Sequence, residues 1–212
     1  MDTLSIIKSS KIIAIARGIY GEDLLEASLA LYNGGVRAFE VTFEQDKALV
    51  RTTDAIAQLS EKLPDNAAVG AGTVMDCEQV EIAHNAGAGF IISPNTDPAV
   101  IERTKRLGMV SIPGAMTPTE IAYAYCRGAD IVKVFPAGVL GIEYFKAVKA
   151  PLKHIALAAV AGITTSNIKE FYDAGAIAFG ISSSLYHKEA IIKKDFAKVT
   201  DAARAFYDTL KE

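Results

Sequence analysis

Short apolar runs rich in β-branched residues alternate along the chain with longer stretches in which apolar residues recur every three or four positions. The alternation continues from one end to the other. The runs that read as strands are 12–17, 38–43, 68–73, 90–93, 109–113, 131–135, 155–160 and 177–181. Between them lie amphipathic stretches such as 23–32, where Leu24, Leu25, Ala27, Ser28, Leu31 and Tyr32 share one helical face. Helical stretches end at Gly34-Gly35, Gly87, Gly108, Gly128 and Gly175, where a left-handed C-cap calls for glycine. A short helix over 3–9 is expected to plug one end of the fold, and 195–210 reads as the last covering helix.

Strands that alternate with helices pair in parallel through right-handed crossovers. About eight such units match an α/β fold of the (β/α)8, or TIM-barrel, type, with the short N-terminal helix added. No linker or composition shift divides the chain, so 1–212 is read as a single domain. The structural rival is an open doubly wound sheet. A dinucleotide-binding version would carry Gly-x-Gly-x-x-Gly after its first strand, and this chain has Ala16-Arg17-Gly18-Ile19-Tyr20-Gly21 there.

Barrel strands are buried on both faces, so an ionisable residue inside one needs a partner or a role. In 130–136 the alternation puts Ile131, Lys133 and Phe135 on one face, opposite Val132 and Val134. If that face is interior, desolvation lowers the lysine pKa and leaves an amine able to attack a carbonyl. The plain alternative is a lysine that reaches solvent from the strand end. In 38–43, Ala38, Glu40 and Thr42 oppose Phe39, Val41 and Phe43. Glu40 then points inward, either as a general base or as half of a structural ion pair with the lysine. Thr73 adds a hydroxyl at the same rim, unless it only caps the next helix.

Barrels commonly bind phosphate in the loops after their last two strands. Here these are 160–164, with Gly162 allowing close backbone approach, and 180–185, with Ser182, Ser183 and Ser184 at the expected start of a short helix. Arg17, at the end of the first strand and beside the last across a closed barrel, supplies positive charge. Ordinary turn chemistry is the alternative reading of these loops.

Composition narrows the classes without changing this picture. Of 212 residues, 50% are hydrophobic and 22% charged, which excludes a disordered chain, and no run is apolar and long enough to span a bilayer. A net charge of -3 argues against nucleic-acid or membrane-surface binding. The N-terminus lacks signal-peptide character, and Cys77 and Cys126 stand far apart, so a reducing cytoplasm is expected. His84, His154 and His187 are scattered and form no metal-binding pattern.

The ordered set Ile15-Ala16-Arg17-Gly18, Glu40-Val41-Thr42-Phe43, Val69-Gly70-Ala71-Gly72-Thr73-Val74, Ile92-Ser93-Pro94, Ile112-Pro113-Gly114 and Val132-Lys133-Val134-Phe135-Pro136-Ala137 resembles the 2-keto-3-deoxy-6-phosphogluconate (KDPG) and 4-hydroxy-2-oxoglutarate (KHG) aldolase family. The resemblance runs from about Ile12 to Tyr186. It implies a class I, Schiff-base aldolase on a (β/α)8 barrel, a homotrimer without metal or other cofactor. Lys133 would be the Schiff-base lysine and Glu40 the general acid/base. Arg17, Thr73, Pro94, Phe135 and Val160 would bind substrate, and Ala161, Gly162, Ser182 and Ser183 its phosphate. The implied ligands are a phosphorylated 2-keto-3-deoxy sugar acid, pyruvate and glyceraldehyde 3-phosphate.

Three departures bear on specificity. Glu44 stands where many members have an arginine that holds a substrate anion, so it is expected to turn outward or to be offset by Lys47 or Arg51. Ala159-Val160-Ala161-Gly162 replaces Pro-Thr-Gly-Gly. Ser93-Pro94-Asn95 and Ser184-Leu185-Tyr186 are closer to the phosphogalactonate-cleaving relatives. A phosphosugar isomerase or epimerase, or a non-catalytic phosphosugar-binding barrel, would use the same fold and phosphate loops.

Overall fold

The computed structural model describes residues 1–45 and 49–211. It begins with α1 (Thr3–Ser10), capped by Asp2, whose carboxylate accepts from the Ser5 amide at 2.9 Å. Strands and helices then alternate. They are β1 (Ile12–Ala16), α2 (Gly21–Asn33), β2 (Ala38–Thr42), α3 (Val50–Lys62), β3 (Ala68–Gly72), α4 (Cys77–Asn85), β4 (Phe90–Ile92) and α5 (Pro98–Arg106). The second half holds β5 (Val110–Ile112), β6 (Gly114–Ala115), α6 (Pro118–Cys126), β7 (Val132–Val134), α7 (Ala137–Lys149), β8 (Leu157–Val160), α8 (Ile168–Asp173), β9 (Ala176–Ile181), α9 (Lys188–Ile192) and α10 (Phe196–Lys211).

All neighbouring strands are parallel, in the order β5-β4-β3-β2-β1-β9-β8-β7-β6. The two ends of that order are one chain segment interrupted at Pro113, which has no N–H to give to a ladder. β5 pairs with β4, and β6 pairs with β7, so this bent strand closes an eight-position barrel. Across the bend the Lys133 amide still donates to the Pro113 carbonyl at 2.9 Å. The fold is the expected (β/α)8 barrel. Its fifth strand differs from the predicted 109–113 because the proline divides it.

Apolar residues separate into two clusters by strand alternation. Ile12, Ala14, Phe39, Val41, Val132, Val134 and Phe179 pack outward against the helices. Ile13, Ile15, Ala38, Ala68, Phe90, Ile131, Ala158 and Ala178 fill the barrel, with Ile6 and Ile7 of α1 joining them. The predicted plug is therefore real. Gly35, Gly87, Gly108, Gly128 and Gly175 all adopt positive φ at the helix exits, as the spacing required. Asp76 and Asp97 cap α4 and α5, and Thr117 with Glu120 forms a capping box on α6. Among the described residues no helix is long and apolar enough to cross a membrane.

Candidate active site

The predicted strands run one residue beyond the regular ladders at Arg17, Phe43, Thr73, Ser93 and Phe135, and several of these overhanging residues stand at the barrel mouth. There a cavity of about 440 Å3 is lined by Arg17, Glu40, Lys133, Phe135, Val160, Ala161, Gly162, Ser182 and Ser183. Lys133 and Glu40 come from β7 and β2, four positions apart around an eight-position barrel, so they face each other across its axis.

Lys133 is 6% exposed, so it does not reach solvent from its strand end. Its Nζ lies 4.7 Å from the centroid of the Phe135 ring. Burial pushes its pKa below the usual 10.5; Glu40 opposes that shift and Arg17 adds to it. Glu40 is 2% exposed, and burial raises its pKa against the pull of Lys133 and Arg17. Among the described residues its Oε2 has no hydrogen-bond partner. Among the described residues Glu40 and Lys133 form no direct ion pair, which sets them apart from a structural Lys-Glu bridge.

Arg17 Nη2 donates to Thr73 Oγ1 at 3.2 Å. Thr73 does not cap α4, a role taken by Asp76; it sits in the left-handed region at φ 56°, and Gln45 Nε2 donates to its carbonyl at 2.7 Å. Thr73 thus reaches the site through Arg17 and is not part of the cavity wall. Pro94 is likewise not in that wall. It is half-buried after β4, where its carbonyl would meet any Cβ on Gly114 at 2.3 Å.

The loop after β8 carries two consecutive left-handed residues, Ala161 at φ 72° and Gly162 at φ 74°. Gly162 abuts Gly138 at the start of α7, whose amide donates to the Ala161 carbonyl at 2.8 Å. After β9 the serines form a turn, not the first turn of a helix: the Leu185 and Tyr186 amides both donate to the Ser182 carbonyl at 2.9 Å, and α9 begins only at Lys188. Ser182 Oγ donates to the Ile15 carbonyl at 2.9 Å, which ties the loop to β1. Ser183 and Ser184 stay exposed beside Thr164 at the cavity. Sequence reading took Thr164 and Ser184 only as members of their loops, without assigning them a substrate role, and passed over Gly138. The first two belong to loops already singled out, whereas Gly138 gave no signal because its partner Gly162 is distant in sequence.

Glu44 is not in the cavity wall. Its Oε2 accepts from the Tyr20 hydroxyl at 2.8 Å, and the Arg51 guanidinium lies 4.3 Å from the same ring's centroid. Lys47, the other cation expected to offset it, lies outside the described residues. His84 is in α4, His154 precedes β8, and His187 caps α9. Among the described residues no three His, Cys, Asp or Glu side chains group as metal ligands do.

Residues 3–202 match the family model described as KDPG and KHG aldolase. The chain is 32% identical over 201 residues to a 2-dehydro-3-deoxy-6-phosphogalactonate aldolase of Escherichia coli, covering 94% of this chain and 96% of that one. It is 34% identical to a 2-dehydro-3-deoxy-phosphogluconate aldolase of Treponema pallidum, over 84% and 83% of the two chains. A solved Legionella pneumophila KDPG aldolase, with pyruvate captured as a covalent carbinolamine intermediate, superposes with a TM-score of 0.86 at 26% identity, covering 97% and 98%. With a match that spans nearly the whole barrel and its mouth, the chain belongs to the KDPG and KHG aldolase family and is a lyase of that family.

Proposed function

We propose that the protein is a class I aldolase that cleaves a 2-keto-3-deoxy-6-phospho sugar acid, with Lys133 as the imine-forming residue and Glu40 as the general acid/base. The neutral Lys133 amine adds to the C2 ketone, and loss of water gives an iminium. Glu40, directly or through a water, takes the C4 hydroxyl proton; the C3–C4 bond breaks and its electron pair flows to the iminium, leaving an enamine. Glyceraldehyde 3-phosphate departs, C3 is protonated, and hydrolysis frees pyruvate and the lysine. The iminium is the electron sink, so this chemistry needs no metal. Arg17 and the loops at 160–164 and 180–185 supply the charge and backbone for the anionic ends of the substrate.

The observation that carries this reading is a lysine almost fully buried at the wall of a polar cavity, opposite a carboxylate it does not pair with directly. Borohydride added with pyruvate should modify Lys133 and abolish turnover. Modification of a different lysine, or full activity in Lys133→Ala, would overturn it.

The gluconate-derived substrate is the first reading and the galactonate-derived epimer the second. The second is favoured by the names of two relatives at 32% and 34% identity; the apolar Val160 in the cavity wall favours neither orientation of the C4 hydroxyl. Cleavage of 4-hydroxy-2-oxoglutarate would place a carboxylate where the phosphate lies. We take the working unit to be a homotrimer, for which exposed Met116, Tyr123, Tyr125 and Val139 offer apolar surface to bury; sedimentation velocity tests it. The charged, phosphorylated substrate suits a cytoplasmic reaction.

A further inference from the structure

At the end of the barrel opposite the catalytic cavity lies a second concavity, of about 580 Å3. Lys8, Lys11, Lys149, Lys153 and His154 line it together with Tyr172, and no acidic residue does. Among the described residues none of these four lysines is paired with a carboxylate, whereas other surface lysines such as Lys105, Lys146, Lys169 and Lys194 are. Asp173, next to Tyr172 in sequence, is held by Lys169 at 2.9 Å.

Lys8 and Lys149 stand in the last turns of α1 and α7, where a cation is favourable on its own account. That does not explain Lys153, which follows α7 in a loop, nor the convergence of all four on one cleft. Two of the charges are also held in position. Lys149 Nζ donates to the Ile155 carbonyl at 2.6 Å and to the Lys153 carbonyl at 3.2 Å, and Lys11 Nζ lies 4.7 Å from the Tyr172 ring centroid. Buried Ile155 and Ala176 give the cleft an apolar floor. Like charges without carboxylate partners, gathered in one cleft of a chain whose net charge is -3, leave a local positive excess that attracts an anion. The volume falls in the range of small-molecule pockets, roughly 300–1,000 Å3, so a compact ligand fits better than an extended nucleic acid.

We propose that this cleft binds a small organic phosphate with two or more negative charges, at a site separate from the catalytic cavity. Its phosphates lie among Lys8, Lys11, Lys149 and Lys153, and its carbon framework rests on Ile155 and Tyr172.

Calorimetric titration of the full chain with inorganic pyrophosphate and, separately, with ATP tests this. Because the catalytic cavity also accepts phosphate, the decisive measurement is the difference between variants. Wild type should show a salt-sensitive site whose affinity falls tenfold or more in Lys11→Gln/Lys153→Gln and stays within about threefold in Lys11→Arg/Lys153→Arg. All three proteins should form pyruvate at equal rates, which shows them folded and separates this site from the catalytic reading. Tighter binding of ATP than of pyrophosphate supports the role of the apolar floor; equal binding confines recognition to the phosphates and overturns that role. No binding of either probe at millimolar concentration, undiminished binding in the glutamine variant, or loss of binding in the arginine variant overturns the proposal.

Discussion

A Cβ on Gly72 would stand 1.6 Å from Oε1 of Glu40, so the glycine that ends β3 provides the space that the carboxylate of β2 occupies. The register of β2 with β3 sets this relationship, with Glu40 beside Gly70 and Thr42 beside Gly72. Gly72→Ala must move the carboxylate or the strand. Overpacking of this kind costs about 1–3 kcal/mol. Urea unfolding should show that loss, and kcat should fall by about 10² or more because a displaced base loses its alignment. Unchanged kcat would mean that Glu40 works from another rotamer.

Glu40→Gln keeps the side-chain shape and removes the base. Pyruvate should still be trapped on Lys133 by borohydride, while cleavage slows by about 10² to 10⁴. Equal loss of trapping and cleavage would assign Glu40 to imine formation instead.

Arg17 lowers the pKa of both buried groups. Its positive charge disfavours the ammonium of Lys133 and favours the carboxylate of Glu40. Removing it in Arg17→Met therefore raises both pKa values. The carboxylate ionises only at higher pH and the amine loses its proton only at higher pH, and the reaction needs both groups deprotonated, so the rising limb of the pH dependence of kcat/KM should move upward. Arg17 is exposed, so solvent screening keeps the displacement modest. A downward movement of that limb would contradict the assignment of the charges.

Ala161 holds φ 72°, a conformation that costs a non-glycine residue on the order of 1–2 kcal/mol. Ala161→Gly relieves that strain but adds freedom to the unfolded chain, worth about 0.4–1 kcal/mol. A net stabilisation of up to about 1.5 kcal/mol is expected in urea unfolding. Destabilisation would show that the Ala161 methyl group makes packing contacts that outweigh the backbone cost.

Val160 is 5% exposed and lines the same cavity as Lys133. An apolar wall discriminates by roughly 10–200-fold, whereas a site that hydrogen-bonds a hydroxyl can reach about 10⁴. Wild type should thus cleave both C4 epimers, and Val160→Thr should move the kcat/KM ratio toward the gluconate form. A wild-type preference above about 10³ would assign C4 recognition to another group.

Much of the barrel was legible in sequence because its periodicities are local. Strand alternation put Glu40 and Lys133 inward, and glycines marked the helix exits, since each depends only on residues a few positions away. The family motifs supplied Ile15, Arg17, Glu40, Lys133 and Phe135 of the cavity wall for the same reason, each motif being one strand end; the ends of β8 and β9 and the loops after them supply the rest. What sequence could not supply was the set of relationships between strands. Gly72 as the space for Glu40, Gly138 against Gly162, Ser182 tied to Ile15, and Thr73 reached through Arg17 join segments 24 to 167 residues apart or lie across a parallel register. Tertiary structure also turned Glu44 toward Tyr20, and it gathered Lys8 and Lys11 with Lys149 and Lys153 at the far end of the barrel. Local pattern decides which face of a strand a side chain takes. Only closure of the barrel, which sets the stagger between strands and brings chain-distant loops to one rim, decides which side chains meet.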